Sequence, residues 1–385
     1  MKILIKNAYL YDAHGERFYR GGVLIGGERI LAVGDIRAAA DLTLDADGAF
    51  ILPGFVDIHT HGRDGYDFTS ADEVGLRKMA MGYLKNCTTT LMPTFGSAPS
   101  VSMLADASDR INGIKGNTGG ANFAGIHLEG RFLNPEKKGA HAPEMLTAPN
   151  ADEIEKLIDH MKLPCHISAA LELDRSGFAH RARMRGATLG LAHTCATYDE
   201  ATELYEKYGI SFTHTWNAMP PLHHRGGGAV AAGLISDAYC ELICDGIHIA
   251  PDVVKLTYRA KGTKKLALIT DSIEATGMPD GRYSIAGMGC TVRDGIARTD
   301  DGALAGSTLD MKSAVENLAA FCDIPLSKAL RCATLTPAET VGIHAEVGSL
   351  DAGKRADMII ARIDKKKITP EKLICGGQPF GGEGE

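Results

Sequence analysis

The chain has no C-x-x-C pair, and its nine cysteines are an odd number scattered through strand-like and helix-like segments. That distribution argues against a disulfide framework and for reduced thiols in the cytosol. No apolar stretch approaches the 18 residues of a membrane span. The N-terminus alternates Ile3 and Ile5 with lysines and has neither an apolar h-region nor a small-residue cleavage site, so we expect a soluble, cytoplasmic protein without a membrane partner. Positive charge is in deficit: a net charge of -7 argues against a general nucleic-acid surface, so an anionic substrate would need locally placed cations. No G-x-G-x-x-G follows a first strand, which leaves an open doubly wound sheet without its usual signature.

What is present is a loop-rich globular composition, 44% hydrophobic and 23% charged with 45 glycines. At 385 residues the chain is too long for one small core, and a barrel of roughly 250 residues plus an accessory domain is the natural division. Residues 1–52 read as β structure, with short runs at 22–25 and 30–33 punctuated by Gly26-Gly27 and Asp47-Gly48 turns. A short Ala-rich piece near Ala38 is the one helical competitor there. Residues 347–374 have the same β character, clearest at Met358-Ile359-Ile360-Ala361. The expectation is a small β-sandwich domain from residues 1–52 and 346–385, flanking a catalytic (β/α)8 barrel of residues 53–345, with residues 376–385 as a frayed tail.

Eight candidate strands cover residues 54–59, 88–94, 122–129, 166–172, 187–193, 210–215, 241–245 and 267–271, with room for a helix after nearly every one. One helix is well marked. Thr197 and Glu200 make a capping box, Ala201, Leu204, Tyr205 and Tyr208 give an apolar face, and Gly209 supplies the stop.

The most informative motif is His59-x-His61, directly after the apolar run 51–58. A strand sends alternate residues to one face, so imidazoles one residue apart at its end can grip the same ion, although two histidines at a polar strand terminus are the plainer alternative. In a parallel barrel the strand C-termini converge, which gathers His59, His61, Glu129, His193, His214 and Asp271. Four imidazoles and two carboxylates suit two divalent transition metals. Glu129, with two oxygens, is the bridging candidate. Asp271 is the candidate proton carrier beside an activated water, its ordinary alternative being a helix N-cap.

Several ordered motifs then carry a resemblance spanning nearly the whole chain. Phe55-Val-Asp-Ile-His-Thr-His-Gly62, His127-Leu-Glu-Gly130 running to Gly139-Ala-His141, His214-Thr-Trp-Asn-Ala-Met219, Asp245-Gly-Ile-His248, Thr270-Asp271 and Leu304-Ala-Gly-Ser-Thr308 resemble the N-acetylglucosamine-6-phosphate deacetylase family of the amidohydrolase superfamily. The resemblance implies metal-dependent hydrolysis of the acetamide of a 6-phosphorylated amino sugar, giving acetate and the free amine. It implies that Glu129, His193 and His214 hold the main metal, and that His59 with His61 completes a second site found in some members. One or two divalent ions per subunit follow, zinc first, with iron or manganese as alternatives. Asp271 is implied as base and then acid, His141 as the histidine that polarises or orients the amide carbonyl, and His248 as a sugar contact. Asn217, the backbone at Ala218, and Arg225 match the phosphate-binding group, with Arg225 reaching across from a neighbouring subunit of a homodimer. A guanidinium fork suits phosphate well. The strip Ala305-Gly306-Ser307 corresponds to the small residues against the acetyl methyl, although Gly and Ser there are also turn chemistry.

Two departures from the family pattern stand out. Arg131 replaces the usual proline after His-Leu-Glu-Gly, where it either faces outward or touches an anionic group of the ligand, and Gly226-Gly227-Gly228 replaces the common Glu-Pro-Gly. Both bear on which hexosamine phosphate is preferred. The alternatives are a relative acting on N-acetylgalactosamine 6-phosphate, or a dihydropyrimidinase-like or aminoacylase-like amidohydrolase, which commonly bridges its metals with a modified lysine from strand four. Residues 166–172 contain no lysine. A non-catalytic scaffold should show gaps in the ligand set, and this chain has none.

Overall fold

In the computed structural model, which describes residues 1–285 and 288–380, eight parallel strands lie in sequential order around a nearly closed barrel. They are β1 (Phe55–Thr60), β2 (Thr88–Phe95), β3 (Ile126–Glu129), β4 (Cys165–Ala169), β5 (Thr188–Leu191), β6 (Ser211–Phe212), β7 (Cys240–Ile243) and β8 (Leu266–Ile269). The ends of β8 and β1 are stitched at the rim, where the Asp271 N–H donates to the His59 carbonyl at 2.9 Å. Every residue of β1 and β2 is buried, as expected for strands covered on both faces by helices and core.

All eight anticipated strands are present, but most are shorter than the apolar runs suggested. The third is split into Asn122–Phe123 and Ile126–Glu129, and the fourth ends at Ala169, followed by a 3-10 turn at Leu171–Leu173. His193, His214 and Asp271 therefore stand just past strand ends, with φ of 45°, 31° and 50°. Left-handed backbone is uncommon for residues with a Cβ; here it turns the chain at the rim and aims these side chains inward. The helix Tyr198–Tyr208 carries the full capping box of Thr197 and Glu200 and ends at Gly209 with φ of 61°.

The two chain ends meet in one hydrogen-bonded sheet of eight strands. Lys2–Asp12 changes parallel neighbour half-way, pairing with Leu42–Asp45 through Ile3–Lys6 and with Phe50–Pro53 through Tyr9 and Leu10. Met358–Asp364 then pairs antiparallel with Phe50–Pro53. The Ala-rich piece near Ala38 is not helical and buries no face, since a run that short does not offset the cost of helix nucleation without packing. Gln378–Phe380 forms a strand within the expected tail, and residues 381–385 lie outside the described residues. A three-stranded antiparallel sheet, Gly281–Ile285, Met288–Arg293 and Ile296–Thr299, was not anticipated. Its Ile285, Cys290, Val292 and Ala297 pack with Ala140, Ile273 and Ala305, so it covers part of the barrel rim.

Candidate metal centre and substrate cavity

Glu129, the last residue of β3, stands at the middle of the rim, 2% exposed. Its Oε2 lies 2.9 Å from His61 Nε2 and 3.2 Å from His59 Nε2. Its Oε1 lies 2.8 Å from His214 Nε2 and 3.3 Å from His193 Nε2. Asp271 Oδ1 closes the first side, 3.3 Å from His61 and 3.6 Å from His59. Two potential metal-holding groups result, His59, His61, Glu129 and Asp271 on one side and Glu129, His193 and His214 on the other.

The donor chemistry fits a divalent ion. Among the described residues, His59 Nε2 is fully buried and lacks a well-formed hydrogen bond, although it points at two carboxylates. Burial opposes charge on His61, yet Asp271 and Glu129 raise its pKa to about 9, so this corner of the site favours a cation. Burial would also raise the Glu129 carboxyl, but the surrounding imidazoles, His59 foremost, hold it well below the usual carboxylate range. Asp271 is lowered in the same way, His59 and His61 outweighing its burial. His193 Nδ1 lies 2.6 Å from the Lys137 carbonyl and donates its proton there, leaving the Nε2 lone pair toward Glu129.

His141 is brought to the same place, Nε2 3.8 Å from Glu129 Oε2. Burial, and then neighbouring His193, lowers its pKa to about 3, so the ring is neutral. Ser97 Oγ accepts the Arg131 N–H at 3.2 Å and sits 2.9 Å from His141 Nδ1. When the Ser97 hydroxyl donates to Nδ1, the neutral ring carries its proton on Nε2, facing the site. The Arg131 side chain points elsewhere, to the Ala98 carbonyl at 3.0 Å and Glu153 at 3.7 Å. It is buried against these partners rather than turned outward, and it does not line the cavity over the cluster.

A cavity of about 430 Å³ opens over the cluster, and Asn217, Ala218, His248 and Gly306 all line it. His248 Nδ1 is held by Asp245 Oδ2 at 2.7 Å. Within the strip 305–307, Gly306 alone faces this cavity. Ala305 is buried in the small-sheet core, and Ser307 Oγ is tied to the Thr270 carbonyl at 2.5 Å. Arg225 is exposed, contacts His224 and does not line the cavity of its own chain. A larger hollow of about 680 Å³ along the terminal sheet, lined by residues such as Lys6, Arg20 and Asp45, does not overlap either metal-holding group.

Sequence reasoning missed the polar layer beneath the rim. Asp57, His127, His166 and Glu241 are all fully buried. His127 engages the Ile58 carbonyl at 2.9 Å and Ser168 Oγ at 2.7 Å, and Glu241 lies 3.2 Å from His166 Nε2. The available signal was a carboxylate inside a strand expected to be buried, since such a group needs partners.

Residues 50–379 match the model of the amidohydrolase family. The chain belongs to that family. It is 32% identical to the N-acetylglucosamine-6-phosphate deacetylase of Bacillus subtilis strain 168, over 89% of this chain and 86% of the relative. It is equally 32% identical to the N-acetylgalactosamine-6-phosphate deacetylase of Escherichia coli O157:H7, over 82% of this chain and 84% of the relative. The crystal structure of N-acetylglucosamine-6-phosphate deacetylase from Pasteurella multocida has a TM-score of 0.90 at 28% identity, covering 99% of this chain and 100% of that one. A mutant of the Mycobacterium smegmatis deacetylase in complex with N-acetyl-D-glucosamine-6-phosphate has a TM-score of 0.86 at 29% identity, covering 98% of each chain. Within the amidohydrolases, the chain falls in the N-acetylglucosamine-6-phosphate deacetylase group.

Proposed function

We infer that this chain hydrolyses the acetamide of N-acetylglucosamine 6-phosphate to glucosamine 6-phosphate and acetate. The observation that carries this reading is the division of the two Glu129 oxygens between two pairs of imidazoles, with Asp271 on the same rim. Glu129, His193 and His214 would hold one divalent ion, and His59, His61, Glu129 and Asp271 a second. Zinc suits imidazole and carboxylate donors at such sites. A bound ion supplies Lewis acidity and makes water a nucleophile at neutral pH.

The protein's own groups do the rest. Asp271 enters ionised, so it accepts the proton of the attacking water and returns it to the amine nitrogen as the C–N bond breaks. His141, neutral, donates to the amide oxygen as negative charge grows there in the tautomer that carries its proton on Nε2. Asn217, the Ala218 backbone and His248 bind the sugar phosphate, with Gly306 against the acetyl group. Arg225 completes the phosphate site from the neighbouring subunit of a homodimer; its position off its own cavity supports that arrangement. Nine free cysteines suit the cytoplasm.

A second reading, the same reaction on N-acetylgalactosamine 6-phosphate, is favoured by the 32% identical Escherichia coli relative of that name. Acetate release across the gluco, galacto and manno 6-phosphates separates the two. A higher kcat/KM for the galacto substrate would replace the first reading by the second, and no release from any of them would overturn both.

A further inference from the structure

Glu241 lies within β7, below the rim and fully buried. Barrel interiors are ordinarily filled by branched apolar side chains, and a carboxylate there is costly unless paired. Its Oε1 has two partners, His166 Nε2 at 3.2 Å and Ser211 Oγ at 3.2 Å. Among the described residues its Oε2 has none, and neither does His59 Nδ1. These two buried atoms face each other at 3.6 Å. The opposite nitrogen of the same ring, Nε2, lies 3.2 Å from Glu129 and 3.6 Å from Asp271. His127 packs its ring against His59 with centroids 4.4 Å apart, but both its nitrogens are engaged elsewhere, so it offers His59 no acceptor.

We propose that Glu241 is a positioning residue for one of the two cation sites. Its free oxygen is the acceptor for the Nδ1–H of His59, which fixes that ring with the Nε2 lone pair toward Glu129 and Asp271 and so sets the affinity for the ion held by His59, His61, Glu129 and Asp271. Outer partners of this kind fix the tautomer and orientation of ligating histidines. His166 and Ser211 hold the carboxylate from its far side. His193, by contrast, has its Nδ1 held by a backbone carbonyl, so the Glu129, His193 and His214 site does not depend on Glu241.

This role rests on the two-ion reading above, and the experiment separates them. Metal-free full-length protein is titrated with cobalt(II) against a competing chelator for the wild type, E241Q, E241L, H59N and H59N/E241Q. Wild type should take up two ions per chain. E241L should weaken one of the two binding steps by about 100-fold and E241Q, which keeps the shape and an acceptor oxygen, by about 10-fold, with the other step unchanged. H59N and H59N/E241Q should be indistinguishable. A wild type that binds a single ion overturns the two-ion reading and this role with it. A two-ion wild type whose E241Q and E241L variants keep both affinities, or whose E241Q variant weakens both steps equally, overturns the role of Glu241 alone.

Discussion

Gly139 lies against the imidazole of His193: a Cβ placed on Gly139 would stand 2.8 Å from His193 Cε1, and the backbone there has φ of 56°. The preceding loop also supplies the Lys137 carbonyl that holds His193 Nδ1. One short segment therefore both orients the ring and leaves it room. Gly139→Ala should displace the ring and lower metal affinity by about 10- to 100-fold, as loss of an orienting contact does. Chelator competition measures this; wild-type affinity in the variant would show that the segment yields without moving His193.

Asp271→Asn keeps the shape of the rim and removes the carboxylate proposed above to accept and return the proton. We expect kcat to fall about 10²- to 10⁴-fold. Metal content, measured on the same sample, separates a lost proton carrier from a lost ligand, because Asp271 also belongs to the group of His59, His61 and Glu129. Near-full turnover with unchanged metal would remove Asp271 from the reaction.

How much of this was legible in the sequence depends on where a residue sits relative to a strand end. His59, His61, Glu129, His193, His214 and Asp271 each follow a short apolar run, and parallel strands in a barrel bring such ends together. Their approach around Glu129 follows from that topology. Glu241 and His166 lie within strands, where pattern alone does not say which face of the barrel a residue takes. The strands Gly281–Ile285, Met288–Arg293 and Ile296–Thr299 do alternate, as Cys290, Thr291, Val292 and Arg293 show, but each holds only four to six residues between turns, too short a run to stand out as a strand by pattern. Arg131 shows a different limit: its backbone N–H serves Ser97 while its guanidinium binds Ala98 and Glu153, contacts that no local motif encodes.

Arg225→Ala should raise KM for the 6-phosphate substrate and leave kcat nearly unchanged, the behaviour of a group that binds ground and transition states alike. Mixing Arg225→Ala with Asp271→Asn subunits tests the source of the guanidinium. If it crosses the dimer, hybrids contain one intact site and recover a low KM. Unrecovered affinity in hybrids confirmed by mass would place Arg225 in its own chain's site.

Thr197→Ala removes the hydroxyl that accepts the Glu200 N–H at the start of Tyr198–Tyr208. A lost N-cap costs about 0.5–2 kcal/mol. Urea unfolding should show that decrease with kcat unaltered, since neither residue lines the cavity. A change in kcat at constant metal content would connect this helix to the site in a way the packing does not.

The central claim is that the Glu129 cluster performs metal-dependent deacetylation. Its most direct test follows acetate release from N-acetylglucosamine 6-phosphate while one protein sample is stripped of metal by chelation and reloaded in steps, with bound ions counted at each step. The account predicts activity that disappears with the ions, returns in proportion to them, and is far lower on the unphosphorylated sugar. Full turnover by the stripped protein, or equal rates without the phosphate, would contradict it.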